Sequence, residues 1–258
     1  MSQWVLKGLL SGIRTTRYPA RDDTTPGVSP GLPVGGHCDE AQARCLVALC
    51  PTGALAQAHR GVVVDDRRCI HCFRCVRQAG MPIAWDDGYR WARATAREST
   101  GGRSFGRAFR RSVHILVVDA GDCGACLNEV RQLSGPYYNL HRLGFFITPT
   151  PRQADLLLVV GPVTDHMRAP LVKAYRAMPT PKRVIAVGAC ALSGSVFGPS
   201  FACGGGVGEL LPVDVEVPGQ PPPPLAILDG LLLAAGRRPA STTGSAERDS
   251  SLEAALKD

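Results

Sequence analysis

Four short apolar runs punctuate the second half of the chain: Val113 to Asp119, Asp155 to Val160, Arg183 to Val187 and Val213 to Val217. Each is rich in Val, Leu or Ile and read as a strand bounded by turn residues. Between them, Leu127 to Leu133 and His166 to Met178 are helical candidates, and Leu225 to Ala235 is a last one. Strands alternating with helices predict a mostly parallel sheet covered on both faces. Sites in such sheets form just beyond the carboxyl ends of the strands. Cys123 and Cys126 follow the first strand, Cys190 the third and Gln220 the fourth, so residues distant in sequence meet at one edge.

The first half is patterned differently. Residues 2 to 15 place Trp4, Val5, Leu9, Leu10 and Ile13 on one helical face, with Lys7 and Arg14 away from it. Such a helix docks on a partner or a membrane surface, or packs on its own domain. From Tyr18 to Gly36 the density of Pro, Gly, Asp and Thr predicts an extended linker. Residues 81 to 111 carry Arg90, Arg93, Arg97, Arg103, Arg107, Arg110 and Arg111, a solvated or partner-facing basic bridge, or one that offsets negative charge beside a metal centre. From Arg237 onward small and charged residues predict a disordered tail.

Composition narrows the chemistry. Ten cysteines among 258 residues, with no secretory signal, point to metal or redox work rather than a disulfide scaffold. The net charge of +7 suits an acidic partner, an anionic prosthetic group or nucleic acid. Aromatics at 6% weaken the last option, because single-strand binders use stacking platforms. No run approaches the roughly 18 apolar residues of a spanning helix. The expected location is therefore cytoplasmic, at the cytoplasmic face of a membrane and held there by partners.

The strongest local signal is Cys69-Ile-His-Cys72-Phe-Arg-Cys75, whose spacing lets three thiolates from one loop grip three corners of an iron–sulfur cubane. Zinc is the competing occupant, since tetrahedral thiolate sets suit it too. His71, inside the loop, is expected beside the ligands or facing solvent. The block resembles ferredoxins with two cluster motifs, in which the cysteine preceding a proline completes the other motif's cluster. Cys50-Pro51 supplies that residue. The resemblance then wants cysteines where this chain has Glu40, Ala43, Leu46 and Ala79, so one site is complete and the other has lost all its ligands together. Cys38 and Cys45 lie off the pattern and read as structural or free thiols.

Residues 110 to 236 resemble a second family. The resemblance is carried by Val113 to Cys126 with its Gly-Asp-Cys-Gly-Ala-Cys ending, Pro151 to Thr164, Val187-Gly-Ala-Cys190-Ala-Leu-Ser-Gly194, Pro212 to Gly219 and Ala226 to Leu232. These segments are similar to the small electron-transfer subunit of energy-converting, membrane-associated nickel–iron hydrogenases, shared with the 20 kDa subunit of respiratory complex I. The resemblance implies a 4Fe-4S cluster beside a large subunit, with Cys123, Cys126 and Cys190 as its first three ligands. The Cys-x-x-Cys spacing favours the hydrogenase branch. Glu129 matches a glutamate near the cluster and is a candidate proton carrier; the plainer reading is a first-turn glutamate favoured by the helix dipole.

The fourth ligand departs from the pattern: the family reads Gly-Cys-Pro-Pro where this chain reads Gly219-Gln220-Pro221-Pro222. Cys203, in Phe201-Ala-Cys203-Gly-Gly-Gly206, is the expected replacement; the alternative is a small buried residue. The predicted fold class is thus α/β: an N-terminal ferredoxin-like (α+β) domain followed by a flavodoxin-like, mostly parallel α/β domain. Its expected boundaries are 1–36 for helix and linker, 37–87 for the ferredoxin-like domain, 88–111 for the basic linker, 112–236 for the second domain and 237–258 for the tail. The implied function is electron transfer through two 4Fe-4S clusters. The implied partners are a hydrogenase-like or complex I-like large subunit, membrane subunits of the same complex, and a redox donor or acceptor. The alternatives are a complex of this architecture acting on another donor, a structural or assembly subunit with a degenerate second site, and a zinc-containing nucleic-acid binder.

Overall fold

The computed structural model describes residues 3–12, 14–77, 83–95, 105–106, 109 and 111–238. Helix α1 (Gln3–Ser11) has no buried residue and leaves Trp4, Leu6, Leu9 and Leu10 exposed, so it does not pack on its own domain. The segment behind it, expected as a linker, is tied down: Thr16 N–H bonds the Tyr137 carbonyl at 3.0 Å, and Tyr18 is fully buried.

A small α+β unit follows. β1 (Leu32–Val34) leads to α2 (Glu40–Leu49), the hairpin β2 (Leu55–Ala58) and β3 (Gly61–Val64), the short α3 (Arg74–Arg77), and β4 (Ala84–Asp86). β1 pairs antiparallel with β4, and β2 with β3. α2 begins on a reciprocal cap, with the Asp39 carboxylate accepting the Gln42 N–H at 2.7 Å and the Gln42 side chain receiving the Asp39 N–H. The core consists of Ala43, Leu46, Leu55, Val62 and Ile83. Ala43 and Leu46 stand at two of the positions where the two-motif ferredoxin pattern wants cysteines, and both are buried. Both contribute apolar side chains to this core instead. Five core residues are too few to hold such a unit alone, and it needs staples from outside.

The larger unit is a six-stranded sheet. β5 (Arg93–Ala94) lies antiparallel beside β10 (Val215–Val217), followed across the sheet by β9 (Arg183–Val187), β8 (Leu156–Val160), β6 (Val113–Asp119) and β7 (Phe145–Ile147). From β7 the five parallel strands run 2-1-3-4-5 in sequence order, the flavodoxin-like arrangement. Successive side chains point to opposite faces: Leu156, Leu158 and Val160 join one core, and Leu157 and Val159 the other. α4 (Ala125–Gln132) and α7 (Pro224–Ala234) contribute to the first core, while α5 (Asp165–Ala177) and α6 (Ala189–Ser193) contribute to the second. Because both faces are covered, β8 and β9 are apolar without interruption.

The helices predicted at 127–133, 166–178 and 225–235 are present with ends shifted by one or two residues. β7 and β5 were not predicted; they are edge strands of three and two residues, and Phe146 and Ile147 are exposed, so no period marks them. β5 falls within the segment expected as a basic bridge. Arg97, Arg103, Arg107 and Arg110 of that bridge, Ala79, and the tail from 239 lie outside the described residues. Among the described residues no helix is long and apolar enough to cross a membrane.

Candidate metal centres

The first cysteine set is built by two turns. Cys50 ends α2 in an extended conformation, and its sulfur accepts the Ala54 N–H at 3.2 Å. In the Cys69–Cys75 loop, His71 and Phe73 adopt positive φ of 51° and 59°, a conformation costing non-glycine residues about 1–3 kcal/mol each. The resulting turns let Cys69, Cys72 and Cys75 line one hollow with Cys50, walled mainly by apolar side chains such as Pro33, Leu55, Val64 and Trp85. Burial pushes the Cys69 thiol up to about 12, and the charges of Cys75, Cys50 and Cys72 oppose its ionisation further. Cys75 is raised by burial and by Cys72. Four thiols lining one apolar-walled hollow suit a cationic core that compensates the charge of their thiolates; loading releases protons.

The second set assembles where strand order reverses, between β6 and β8, the position at which open α/β sheets bind ligands. Cys123 is exposed on the turn after β6, Cys126 is buried in the first turn of α4, and Cys190 is buried in α6 behind β9. Asp122 fixes the turn: one carboxylate oxygen accepts the Gly124 and Leu127 N–H groups at 3.0 Å each. Burial raises the Cys126 thiol strongly, with Asp122, Cys190 and Cys123 adding to it. Cys190 is pushed up to about 11 by burial first and then by Cys123. The turns after β6 and β9 thus bring the three cysteines to the space beyond the strand ends.

Gln220 closes that space. Cys126 Sγ donates towards Gln220 Oε1 at 3.8 Å, and the Gln220 amide also bonds the Cys190 sulfur, easing its ionisation. Gly188, at φ 91°, passes so close that an added Cβ would lie 2.6 Å from Cys126 Sγ. Cys203 is oriented within its own loop: its thiol donates to the Gly198 carbonyl at 3.3 Å and lies 3.2 Å from Ser200 Oγ. Its neighbour Gly206, at φ 138°, lies against the Leu192 carbonyl. Cys45 is exposed, and Cys38 packs at the rim of the small core. Glu129 is half-buried on α4, and burial raises its carboxyl above the usual range.

Tested against a 4Fe-4S cluster, the first set fits with four thiolates and the second with three plus an amide. Among the described residues no three His, Cys, Asp or Glu side chains are gathered for a single metal ion.

The two sets touch. His71 Nδ1 accepts the Gln220 backbone N–H at 3.5 Å, and burial holds the imidazole neutral, down to about 4. His71 also packs its ring against Trp85 and Trp91. An ion-pair chain runs beside it: Arg67 to Glu216 at 2.6 Å, Glu216 to Arg93 at 3.2 Å and Arg93 to Asp66 at 2.6 Å. Ser193 Oγ adds a bond to the Arg67 carbonyl at 2.9 Å. None of these contacts was read from the sequence, since their partners lie up to 149 residues apart. His71 and Gln220 were each singled out without their contact. Gly188 carried a signal as the glycine opening the Cys190 turn.

The fold and site thus define a doubly covered 2-1-3-4-5 α/β protein with three cysteines beyond the carboxyl ends of its strands. The family profile described as NADH ubiquinone oxidoreductase, 20 Kd subunit, matches residues 123–234. A probable membrane-bound hydrogenase subunit of Pyrococcus furiosus is 43% identical over 124 residues, covering 48% of this chain and 74% of that one. An uncharacterized protein of Methanocaldococcus jannaschii is 42% identical over 126 residues, covering 49% and 84%. Formate hydrogenlyase subunit 7 of Escherichia coli is 39% identical over 130 residues, covering 50% and 51%, so the chain spans about half the length of that relative. The chain belongs to the family of the complex I 20 kDa subunit, which includes subunits of hydrogenases.

Proposed function

We propose that the chain is an electron-transfer subunit carrying two iron–sulfur clusters, and that it relays electrons between a redox donor and a large subunit in a hydrogenase-like or complex I-like oxidoreductase. Cys50, Cys69, Cys72 and Cys75 hold the first cluster, and Cys123, Cys126 and Cys190 hold the second. The observation that carries this reading is the contact of His71 with Gln220, which sets the loop of one cysteine group against the fourth-ligand position of the other. When bound, the clusters supply one-electron chemistry whose potential follows charge, hydrogen bonding to sulfur and burial. The protein contributes those three levers. Apolar walls exclude water from the first hollow, Ala54 N–H bonds the Cys50 sulfur, and neutral His71 adds no charge between the sites. Glu129, with its raised carboxyl, is suited to hold a proton near the second site. The complex lies at the cytoplasmic face of a membrane, with this chain attached through its partner subunits.

Gln220 favours one competing reading, a structural or assembly subunit whose second site is empty. Anaerobic purification of the full chain, with iron and sulfide analysis and EPR of the reduced protein, separates the two. Two interacting 4Fe-4S signals are expected, with Cys69→Ser removing the first and Cys126→Ser the second. A single signal that Cys126→Ser leaves intact supports the structural reading, and zinc in place of iron overturns both.

A further inference from the structure

We infer that the second site binds its cluster through three thiolates and presents an oxygen, Gln220 Oε1, to the fourth iron, making that iron exchangeable. The inference rests on the iron–sulfur reading above and concerns one corner of one site.

The geometry carries it in three steps. Gln220 occupies the place of the missing cysteine, and its amide is held between two thiols, Oε1 3.8 Å from Cys126 Sγ and a second bond to Cys190. Its backbone is fixed from behind by His71 Nδ1. Second, the spare cysteine is engaged elsewhere: Cys203 Sγ donates to Gly198 and contacts Ser200, both in its own loop. Third, replacing a thiolate by a neutral amide removes one negative charge from the ligand set, and the chain supplies one nearby. The Asp122 carboxylate stands next to Cys123 and is fixed at the start of the Cys126 helix, where Oδ2 accepts the Gly124 and Leu127 N–H groups at 3.0 Å each. An amide oxygen is a weaker and harder donor to iron than a thiolate. The corner therefore holds a ferrous ion loosely, and water or an added thiol can take the oxygen's place.

The test uses the full chain, purified anaerobically and treated with ferricyanide and a ferrous chelator. One Fe2+ passes to the chelator and one electron to ferricyanide, leaving an oxidised 3Fe-4S cluster with a distinct EPR signal; added Fe2+ and a reductant reverse the change. The native protein is expected to lose one iron per chain, while the four-thiolate first site keeps its iron as an internal control. Gln220→Cys should abolish the loss, and Gln220→Ala should hasten it. Cys203→Ser should lose the same single iron as the native protein. The proposal is overturned if Cys203→Ser removes the second centre, which makes Cys203 the ligand, or if the native protein resists treatment as well as Gln220→Cys does. If neither native protein nor Gln220→Cys contains iron and sulfide, the parent reading fails instead.

Discussion

At the scale of single residues, cysteine spacing carries information because a cluster demands thiolates at fixed intervals, so Cys69, Cys72 and Cys75 stand out as candidates in the chain alone. Glu129 is different, because its chemistry depends on surroundings that the sequence does not print. Burial raises its carboxyl. Between the ordinary glutamate value and the raised one, the folded chain binds more protons than the unfolded chain, so stability falls as pH rises through that window. Glu129→Gln removes this cost. The variant should gain on the order of 0.5 kcal/mol over the native chain at pH 7, kept small by the residue's partial exposure, and nothing near pH 4. Denaturation midpoints at the two pH values check this; a variant less stable at pH 7 shows that the carboxylate has a stabilising partner instead. The contact of His71 with Gln220 was likewise illegible, since nothing in either residue's neighbourhood names the other.

Among elements, legibility followed burial. β8 and β9 are buried on both faces and appear as unbroken apolar runs, whereas β7 and β5 are edge pieces too short to show a period. The loss of cysteines from α2 could be read in the sequence, but the packing of Ala43 and Leu46 in their place could not. The segment around Tyr18 is the clearest override: its Pro and Gly content reads as linker, yet Tyr18 is bound to α7. Tyr18 Oη donates to Asp229 Oδ1 at 2.6 Å, and Arg238 bonds the same oxygen at 2.5 Å. Asp229 is buried in a helix otherwise made of apolar residues and glycine. Asp229→Ala removes the buried carboxylate that the Tyr18 hydroxyl and the Arg238 guanidinium share, and should cost about 3–5 kcal/mol. Denaturant titration measures the loss, and limited proteolysis should then cut between residues 12 and 30. A cost under about 1 kcal/mol would mean that water replaces the carboxylate.

For the whole molecule, the question is what holds a unit with a five-residue core against a large sheet at a fixed distance. The ion-pair chain is the strongest staple in view, because Arg93 bridges Asp66 on one side and Glu216 on the other and all three side chains are about 10% exposed. Nothing in the sequence pairs these charges, since Arg93 reads as one more member of a basic bridge. Breaking a buried pair by removing one partner costs about 3–5 kcal/mol, as a charge is left stranded. Arg93→Ala strands Asp66 and leaves Glu216 with Arg67 alone. Lysine is a poor substitute, because a single ammonium cannot reproduce the two-pronged bond to Asp66 and the bond to Glu216 together. The expected effect is local before it is global: amide exchange should accelerate across residues 61–77 while β8 and β9 stay protected. In the cluster-loaded chain, the magnetic interaction between the two centres should weaken in Arg93→Ala and recover little in Arg93→Lys. If exchange accelerates equally in both units, the bridge serves general stability; if the interaction is unchanged while 61–77 loosens, the His71 contact alone sets the spacing.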